Sequence, residues 1–213
     1  MVVVYPSLEW MEAFREKANS DEEYARVAHD WEGDFTIEVG VDEMAVKDLS
    51  NEKHMKAMTE MLMPSVMMDL DGWKGTPFGN LMEKLMGTSF DELLKLGSSE
   101  EITKKLNPRE MAERFSKLKR DDLKGVKFCM WIDFWHGKVR SPLEIISPGK
   151  PRETKFGLMG SYTEFKKLVT GQADSIKMVM MGKLKLKGNL AYMMKRVKAV
   201  TMVTKIMGTI PIE

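Results

Sequence analysis

Two long segments of the chain alternate between apolar and polar residues, and each is predicted to form a half-buried strand. In the first, GDFTIEV at residues 33–39, the apolar positions are Phe35, Ile37 and Val39. In the second, GVKFCMWIDFWHGKV at residues 125–139, the apolar side chains on one face are Val126, Phe128, Met130, Ile132 and Phe134. Alternation of this kind predicts that each strand buries one face against a core.

Three shorter strands are predicted after the second one. His136-Gly137 is typical of a tight hairpin turn, which would lead into a strand over residues 138–146. TKFGLMG at residues 154–160 predicts another strand. In KLKLK at residues 183–187, inward leucines alternate with lysines, as on an edge strand that resists unwanted pairing. The prediction is therefore a small, mostly antiparallel sheet of five strands.

The rest of the chain follows the helical period. The first thirty residues predict two helices, the second starting at a capping box of Ser20 and Glu23. Residues 50–124 also predict helices, with starts such as Ser98-Glu101, although residues 69–79 (DLDGWKGTPFG) predict a turn-rich loop. One predicted helical face contains Phe78, Leu81, Met82, Leu85 and Met86.

Helical patterns also surround the KLKLK strand. Ser161 and Glu164 predict the start of a helix that ends at Gly171, and a short helix is predicted over about residues 174–181. Asn189 is predicted to cap a further helix. The apolar face of that helix would contain Leu190, Met193, Met194 and Val197. Together the elements predict an α+β fold with helices against one face of the sheet.

Length and charge restrict the class of protein. A chain of 213 residues is long enough for one domain with a sizeable core, interrupted here by a helical insertion at about 45–122. The chain has 33 Lys and Arg against 32 Asp and Glu, which gives no basis for nucleic-acid binding or for a polybasic membrane protein. The N-terminus lacks the features of a signal peptide, and no apolar run is long enough to span a membrane. We expect a soluble, cytoplasmic protein.

Methionine is unusually frequent, with 21 residues against nine Phe and five Trp. Nine lie between Met55 and Met111, and eight lie between Met159 and Met207. Because methionine is flexible and polarisable, such groups can fill an irregular core or line a surface that accepts varied apolar shapes. The sequence leaves both interpretations open.

No set of residues indicates catalysis or metal binding. His29, His54 and His136 are far apart and lack the spacing of a metal motif. The single cysteine, Cys129, excludes an intramolecular disulfide and is interpreted as a buried, inert thiol. Gly182-Lys183 lacks the upstream glycine of a phosphate-binding loop. We therefore expect no cofactor, no metal and no enzymatic activity.

The C-terminal third resembles a known family. GSYTEFKKLVTGQADSIKMVMMGKLKLKGNLAYMMKRV, at residues 160–197, is similar to the C-terminal half of the sterol carrier protein type two (SCP2) lipid-transfer domain. The shared pattern is a Phe-bearing helix ending in glycine, a short helix reaching GKLKLKGN, and a further helix. WIDFWHGKV and WEGDFTIEV resemble the hairpin and first strand of that domain. The resemblance covers residues 125–200 and, more weakly, 5–40, but not 45–122.

This resemblance implies an SCP2-like sheet of five strands, covered by helices and enclosing an apolar cavity. In such a domain the cavity holds a fatty acid, an acyl-CoA, a phospholipid or a sterol. The domain carries this ligand and has no catalytic activity. The C-terminal helices would border it. The lining residues implied in this chain are Phe165, Leu168, Ile176, Val179, Met180, Leu190, Met193, Met194 and Val197.

The resulting hypothesis is a non-catalytic intracellular lipid carrier, in which the insertion at 45–122 forms a lid or second wall. Two alternatives remain: a protein-interaction domain whose Met-rich helices bind a partner helix, or an accessory domain that presents a lipid to a separate enzyme. The expected partner is a lipid or another hydrophobic small molecule, with no nucleic acid and at most transient membrane contact. A protein partner or a homodimer remains open. The C-terminal tail, VTMVTKIMGTIPIE, is expected to close the cavity rather than to touch a bilayer.

Overall fold

The computed structural model describes residues 2–96, 101–102, 106–141 and 143–213. The predicted start at Ser98 falls outside these residues. The N-terminal helices precede the first strand, and their bounds are α1 (Leu8–Ser20) and α2 (Glu22–Val27). The helices between the first two strands are α3 (Glu43–Leu49), α4 (Glu52–Met68), α5 (Leu70–Trp73), α6 (Pro77–Met86), α7 (Phe90–Leu94) and α8 (Pro108–Phe115), followed by a 3-10 turn at Arg120–Leu123.

The remaining helices all lie in the C-terminal third, and they are α9 (Tyr162–Val169), α10 (Ser175–Met180), α11 (Leu190–Lys195) and α12 (Val197–Met207). The strands are β1 (Glu32–Gly40), β2 (Lys127–Trp135), β3 (Lys138–Val139), β4 (Glu144–Ile146), β5 (Phe156–Ser161) and β6 (Lys185–Lys187). The predicted α+β class is therefore confirmed.

The six strands form one sheet in the order β3-β2-β1-β5-β6, and β4 also pairs with β2. β1 runs parallel to β5, with Phe35 opposite Phe156, and the other pairs are antiparallel. β6 lies at one end of the order, so the prediction of an edge strand in KLKLK is confirmed. The hairpin at His136-Gly137 is also confirmed, since both residues have the positive φ of 46° and 73° that a type I′ turn requires.

The sheet has one strand more than predicted. Residues 138–146 do not form a continuous strand, because β3 pairs with the end of β2 and β4 pairs with its middle. The sequence places a proline, Pro142, between the two, and proline has no N–H group to donate to a ladder. Arg140 still donates its backbone N–H to the Asp133 carbonyl at 2.9 Å, and its side chain forms an ion pair with the Asp133 carboxylate.

Two local predictions were wrong. Ser20 is the last residue of α1, and Asp21 caps α2 by accepting the Tyr24 N–H at 2.7 Å. A single residue joins the two helices, so the better-placed carboxylate takes the capping role. Residues 69–79 are not simply a loop, because they contain α5 and the start of α6, and Trp73 is fully buried there. Burial of that large side chain against α6 favours the short helix over an open turn.

The helices around the sheet divide into two groups. The first group is α1, α2, α9, α10, α11 and α12, which lie near the apolar face that holds Phe35. The Phe35 ring is 5.8 Å from the ring of Phe134 and 5.1 Å from that of Phe156. Helices α3 to α8 pack mainly on one another. Phe78 of α6 reaches the sheet, where its ring is 5.8 Å from that of Phe128. Space is therefore left for a site only between the sheet and the first group.

Candidate functional site

An apolar cavity of about 440 Å³ lies between the sheet and the first group of helices. This volume falls within the roughly 300–1,000 Å³ typical of small-molecule sites. The inward side chains of four strands form one side of it. These strand residues are Phe35, Ile37, Phe128, Met130, Ile132, Phe134, Leu158 and Leu186.

Helices from both ends of the chain form the opposite side of the cavity. The N-terminal part contributes Tyr5, Pro6, Trp10, Met11, Phe14, Tyr24 and Trp31. The C-terminal part contributes Phe165, Leu168, Val169, Ser175, Ile176, Val179, Met180, Leu190, Met193, Met194, Ala199, Val200, Val203, Thr204 and Met207. Leu143, between β3 and β4, completes the lining. α12 supplies five of these residues, four of which belong to the C-terminal tail, and closure of the cavity by that tail stays a prediction.

Few polar groups reach this lining. The hydroxyl groups of Ser175 and Thr204 lie 3.1 Å apart and bind each other. Burial raises the pKa of the Tyr5 and Tyr24 phenols well above their usual value, so both side chains stay neutral at physiological pH. The indole N–H of Trp10 is buried without a hydrogen-bond partner in the part of the chain described. No charged side chain from the described residues lines the cavity.

The cavity opens between α10 and α11. Among the described residues that line it, the exposed ones are Met180, Leu190 and Met194, with 79%, 53% and 47% of their surface accessible. A side chain that both lines a cavity and meets solvent marks an opening. These three residues, which we call the mouth, flank β6 in the chain.

Eight of the nine residues predicted to line a cavity do line this one: Phe165, Leu168, Ile176, Val179, Met180, Leu190, Met193 and Met194. Their role in binding lipid stays a prediction. Val197 does not line the cavity. The predicted helix is interrupted at Arg196, where φ is −116° and ψ is 25°, and Val197 begins a new helix.

Two contacts of Arg196 accompany this interruption. Its guanidinium stacks on the Tyr192 ring at 3.8 Å and donates to the Asp30 carboxylate at 2.8 Å. The Tyr192 hydroxyl in turn accepts the backbone N–H of Glu32 at 2.8 Å. These contacts fix α11 against the start of β1, so the helical period of the sequence does not continue into α12.

Sequence reasoning missed the N-terminal and sheet sides of the cavity. The strand alternation had already predicted the inward face of β1 and β2, and that signal was sufficient to name Phe35 and Ile132. Trp10 and Phe14 carried no comparable signal, because the packing of α1 beside the C-terminal helices is a long-range feature. The tertiary structure alone shows that both chain ends enclose one space.

The helical segment at 45–122 plays a different part from the one expected. None of its described residues lines the cavity, so the expectation that it forms a lid or a second wall is wrong. Its apolar side chains instead form a core of their own, which includes Leu62, Trp73 and Phe90. These capped, amphipathic helices bury their apolar faces against one another, so their stability does not require contact with the cavity.

Other candidate chemistry does not assemble into a site. Among the described residues no group of three or more His, Cys, Asp or Glu side chains is placed to hold a metal ion. Burial raises the pKa of the Cys129 thiol, which lies on the strand face opposite the cavity-lining residues Phe128 and Met130. A separate search of the described residues for helices long and apolar enough to cross a bilayer finds none.

Comparisons with known proteins agree with this fold. A family model described as the SCP-2 sterol transfer family matches residues 92–200. No curated protein sequence matches the chain. The match begins within the helical segment, and whether that segment is an insertion stays a prediction.

Two solved structures share the fold. A crystal structure of sterol carrier protein 2 has a TM-score of 0.51 at 16% identity, covering 95% of each chain. A solution structure from Thermus thermophilus, of a conserved hypothetical protein described as a possible sterol carrier protein, has a TM-score of 0.52 at 15% identity. That comparison covers 96% of this chain and 88% of the other. The family model spans just over half of the sequence, and the protein therefore belongs to the SCP-2 sterol transfer family.

Proposed function

We propose that the protein is a non-catalytic carrier that binds one amphiphilic lipid in the apolar cavity. The candidates are a fatty acid, an acyl-CoA, a phospholipid and a sterol-like molecule. The observation that carries the proposal is the apolar cavity with a single group of exposed lining residues at its mouth. Membership of a sterol transfer family supports the same class of ligand.

The energetics favour an alkyl chain in this space. Each buried CH₂ group contributes about 0.8 kcal/mol, so ten methylenes would contribute on the order of 8 kcal/mol before the entropic cost of binding. No charged side chain has to be desolvated, because none of those described lines the cavity. The flexible methionines of the lining, such as Met180 and Met193, would let one cavity accept several chain shapes.

The head group would remain at the mouth. A charged or polar head group loses free energy when it is buried without partners, and the cavity has few polar groups to offer. The mouth meets solvent at Met180, Leu190 and Met194, and lysines such as Lys183 and Lys195 lie nearby in the chain. We propose that the tail enters the cavity and that an anionic head group stays near these lysines.

The scaffold alternative has less support. It required the methionines of the helical segment to be free for a partner helix, but Met55, Met58, Met61, Met82, Met86 and Met111 are buried in the core. Presentation of the bound lipid to a separate enzyme is compatible with the open mouth and would use the same cavity. The expectation of a cytoplasmic location stays a prediction.

Lipid extraction from the purified protein, followed by mass spectrometry, is the first test. We expect one co-purifying amphiphile per chain or, in delipidated protein, saturable binding of a fluorescent fatty acid. Met193 is buried and lines the cavity, so Met193→Asp should reduce that affinity by more than about tenfold by placing a charge in an apolar space. Met68→Asp is the matched control, because Met68 is 76% exposed and lies outside the cavity.

Circular dichroism must show that Met193→Asp remains folded. If it does not, Met194→Asp at the half-exposed mouth replaces it, with a smaller expected loss of affinity. Absence of any bound amphiphile together with no fatty-acid binding by the wild-type protein would refute the carrier function. Unchanged binding by a folded Met193→Asp protein would show that this cavity is not the site.

A further inference from the structure

Tyr5 brings an unsatisfied polar group to the apolar cavity. Its side chain lines the cavity and is only 6% exposed, and its phenol hydroxyl forms no hydrogen bond with any described residue. The hydroxyl oxygen retains accessible surface, unlike the enclosed indole nitrogen of Trp10, whose ring is 4.9 Å away. A buried hydroxyl without a partner is uncommon in folded proteins and points to a ligand or water that completes it. The cavity therefore contains a hydrogen-bonding group that a ligand can reach.

A buried network fixes Tyr5 without using this hydroxyl. The Tyr162 hydroxyl donates to the Asp48 carboxylate at 3.0 Å and lies 3.3 Å from the Tyr5 carbonyl oxygen. Asp48 in turn forms an ion pair with Lys166. The Tyr5 and Tyr162 rings are 6.0 Å apart. Because these contacts involve the backbone and ring of Tyr5, they hold its side chain in place and leave its hydroxyl free.

Tyr5 and helix α11 lie at opposite ends of β1. Tyr5 contacts Tyr162, which directly follows the end of β5, and β5 ends level with β1. Helix α11 is fixed at the start of β1 through the bond between Tyr192 and Glu32. A strand rises about 3.3 Å per residue, so the ends of this nine-residue strand are roughly 26 Å apart. A lipid whose head group stays at the mouth beside α11 therefore presents the remote part of its chain to Tyr5.

The group that suits Tyr5 is an uncharged oxygen. A phenol can donate its proton to a hydroxyl or a carbonyl oxygen. An ionised group would be buried there without a counter-ion, because no charged side chain from the described residues lines the cavity. The Asp48 carboxylate behind Tyr162 would also repel an anion. A plain alkyl tail would strip water from the Tyr5 hydroxyl without replacing the lost hydrogen bond.

We propose that the cavity selects acyl chains that carry an uncharged oxygen, a hydroxyl or a keto group, remote from the head group, and that Tyr5 binds this oxygen. This selectivity rests on the proposed function and narrows its ligand to oxygenated lipids. Tyr24 is the comparison, because its phenol also lines the cavity and forms no hydrogen bond with a described residue. Its neighbour Ala25 packs against Gly137 of the hairpin, beside the start of β1, so a group remote from the mouth reaches Tyr5 instead.

Displacement of a fluorescent fatty acid from the full chain tests this selectivity. We expect ω-hydroxypalmitate to bind about fivefold more tightly than palmitate, because its hydroxyl replaces the water lost from the Tyr5 phenol. The matched control is α-hydroxypalmitate, which has the same composition but carries its hydroxyl beside the carboxylate, at the mouth. Its affinity should stay within about twofold of that of palmitate.

Tyr5→Phe should reverse the preference. Palmitate should bind about threefold more tightly to this variant, because no phenol is left dehydrated, and ω-hydroxypalmitate should bind at least about threefold more weakly. A purely structural loss would instead weaken both ligands together. The ring and the carbonyl that contacts Tyr162 are retained, and circular dichroism checks that the variant is folded. Tyr24→Phe should keep the wild-type preference.

The outcomes separate this selectivity from the carrier function. Equal binding of palmitate and ω-hydroxypalmitate by the wild-type protein, a comparison that needs no variant, overturns the selectivity and leaves the carrier function intact. Absence of binding for every ligand refutes the carrier function itself. A folded Tyr5→Phe protein that keeps the preference overturns the role of Tyr5, as does loss of the preference in Tyr24→Phe alone. Tyr5-dependent binding of hexadecanol that is tighter than that of ω-hydroxypalmitate also overturns the proposal, since the oxygen would then belong to a head group that enters first.

Discussion

The two methionine-rich regions of the chain have opposite structural roles. In the helical segment, six of the nine methionines between Met55 and Met111 are buried among neighbouring side chains, and none lines the cavity. In the C-terminal segment, Met180, Met193, Met194 and Met207 line the cavity, and two of these four are exposed at its mouth. The same residue type fills a core in one region and surrounds an open space in the other. Composition alone does not distinguish these roles, because they depend on what the opposite side of each helix meets.

Stability should depend far more on the first region than on the second. Leu62 is fully buried in α4, so Leu62→Ala should lower the free energy of unfolding by about 3 kcal/mol through lost burial and a new cavity. Met194→Ala, at the half-exposed mouth, should change it by less than about 0.5 kcal/mol. Urea unfolding followed by tryptophan fluorescence measures both. Equal losses would mean that the mouth is packed as tightly as the helical core.

Oxidation by peroxide should distinguish the two regions directly. We expect Met68, Met180 and Met181 to form sulfoxide about tenfold faster than buried Met61 and Met111, because oxidation follows exposure. Peptide mass spectrometry over a time course gives the individual rates. Saturation with a bound lipid should slow the reaction at Met180 but not at Met68, which lies outside the cavity. Uniform rates would contradict the burial described here.

The junction between α11 and α12 should make a smaller contribution. Arg196→Ala removes the stacking on Tyr192 and the partly exposed ion pair with Asp30, and it should lower the free energy of unfolding by about 1 kcal/mol. Lys198→Ala is the control, since Lys198 is exposed and forms no ion pair with a described residue, and it should be nearly neutral. Chemical denaturation at two salt concentrations measures the loss. A neutral Arg196→Ala variant would show that backbone packing alone separates the two helices.

The smallest expected effect is a change in folding stability at alkaline pH. Folding raises the pKa of the Tyr5, Tyr24 and Tyr162 phenols through burial, so the unfolded chain loses these protons at a lower pH than the folded chain. Their contribution to stability is therefore complete below the unfolded value of about 10 and is lost as pH rises above it. We expect no change from these groups between pH 7 and about 9. The chain has a fourth tyrosine, so the test uses a Tyr192→Phe variant, in which phenolate absorbance that rises at pH 10 while the protein is still folded would contradict the burial of the other three.

Several parts of the fold followed from local patterns. The alternation in β1 and β2, the glycine at Gly171 and the cap at Asn189 predicted elements whose causes lie within a few residues. The nine proposed lining residues came instead from the resemblance to the SCP2 domain, and eight of them line the cavity. The prediction that Val197 lines the cavity was wrong. A contact between Arg196 and Asp30, which are 166 residues apart in the chain, accompanies the end of α11 before Val197.

The sequence by itself determined the α+β class, the inward face of the long strands, the edge position of the KLKLK strand and the resemblance that the family match confirms. These features depend on hydrophobic period, turn chemistry and capping, which act over short distances. Only the tertiary structure decided that α1 and α12 enclose one cavity with the sheet, and that the helical segment does not. It also placed Met180 and Met194 at the exposed mouth of the cavity. Such features arise from contacts between distant parts of the chain, and a periodic pattern shows which face is buried without showing what covers it.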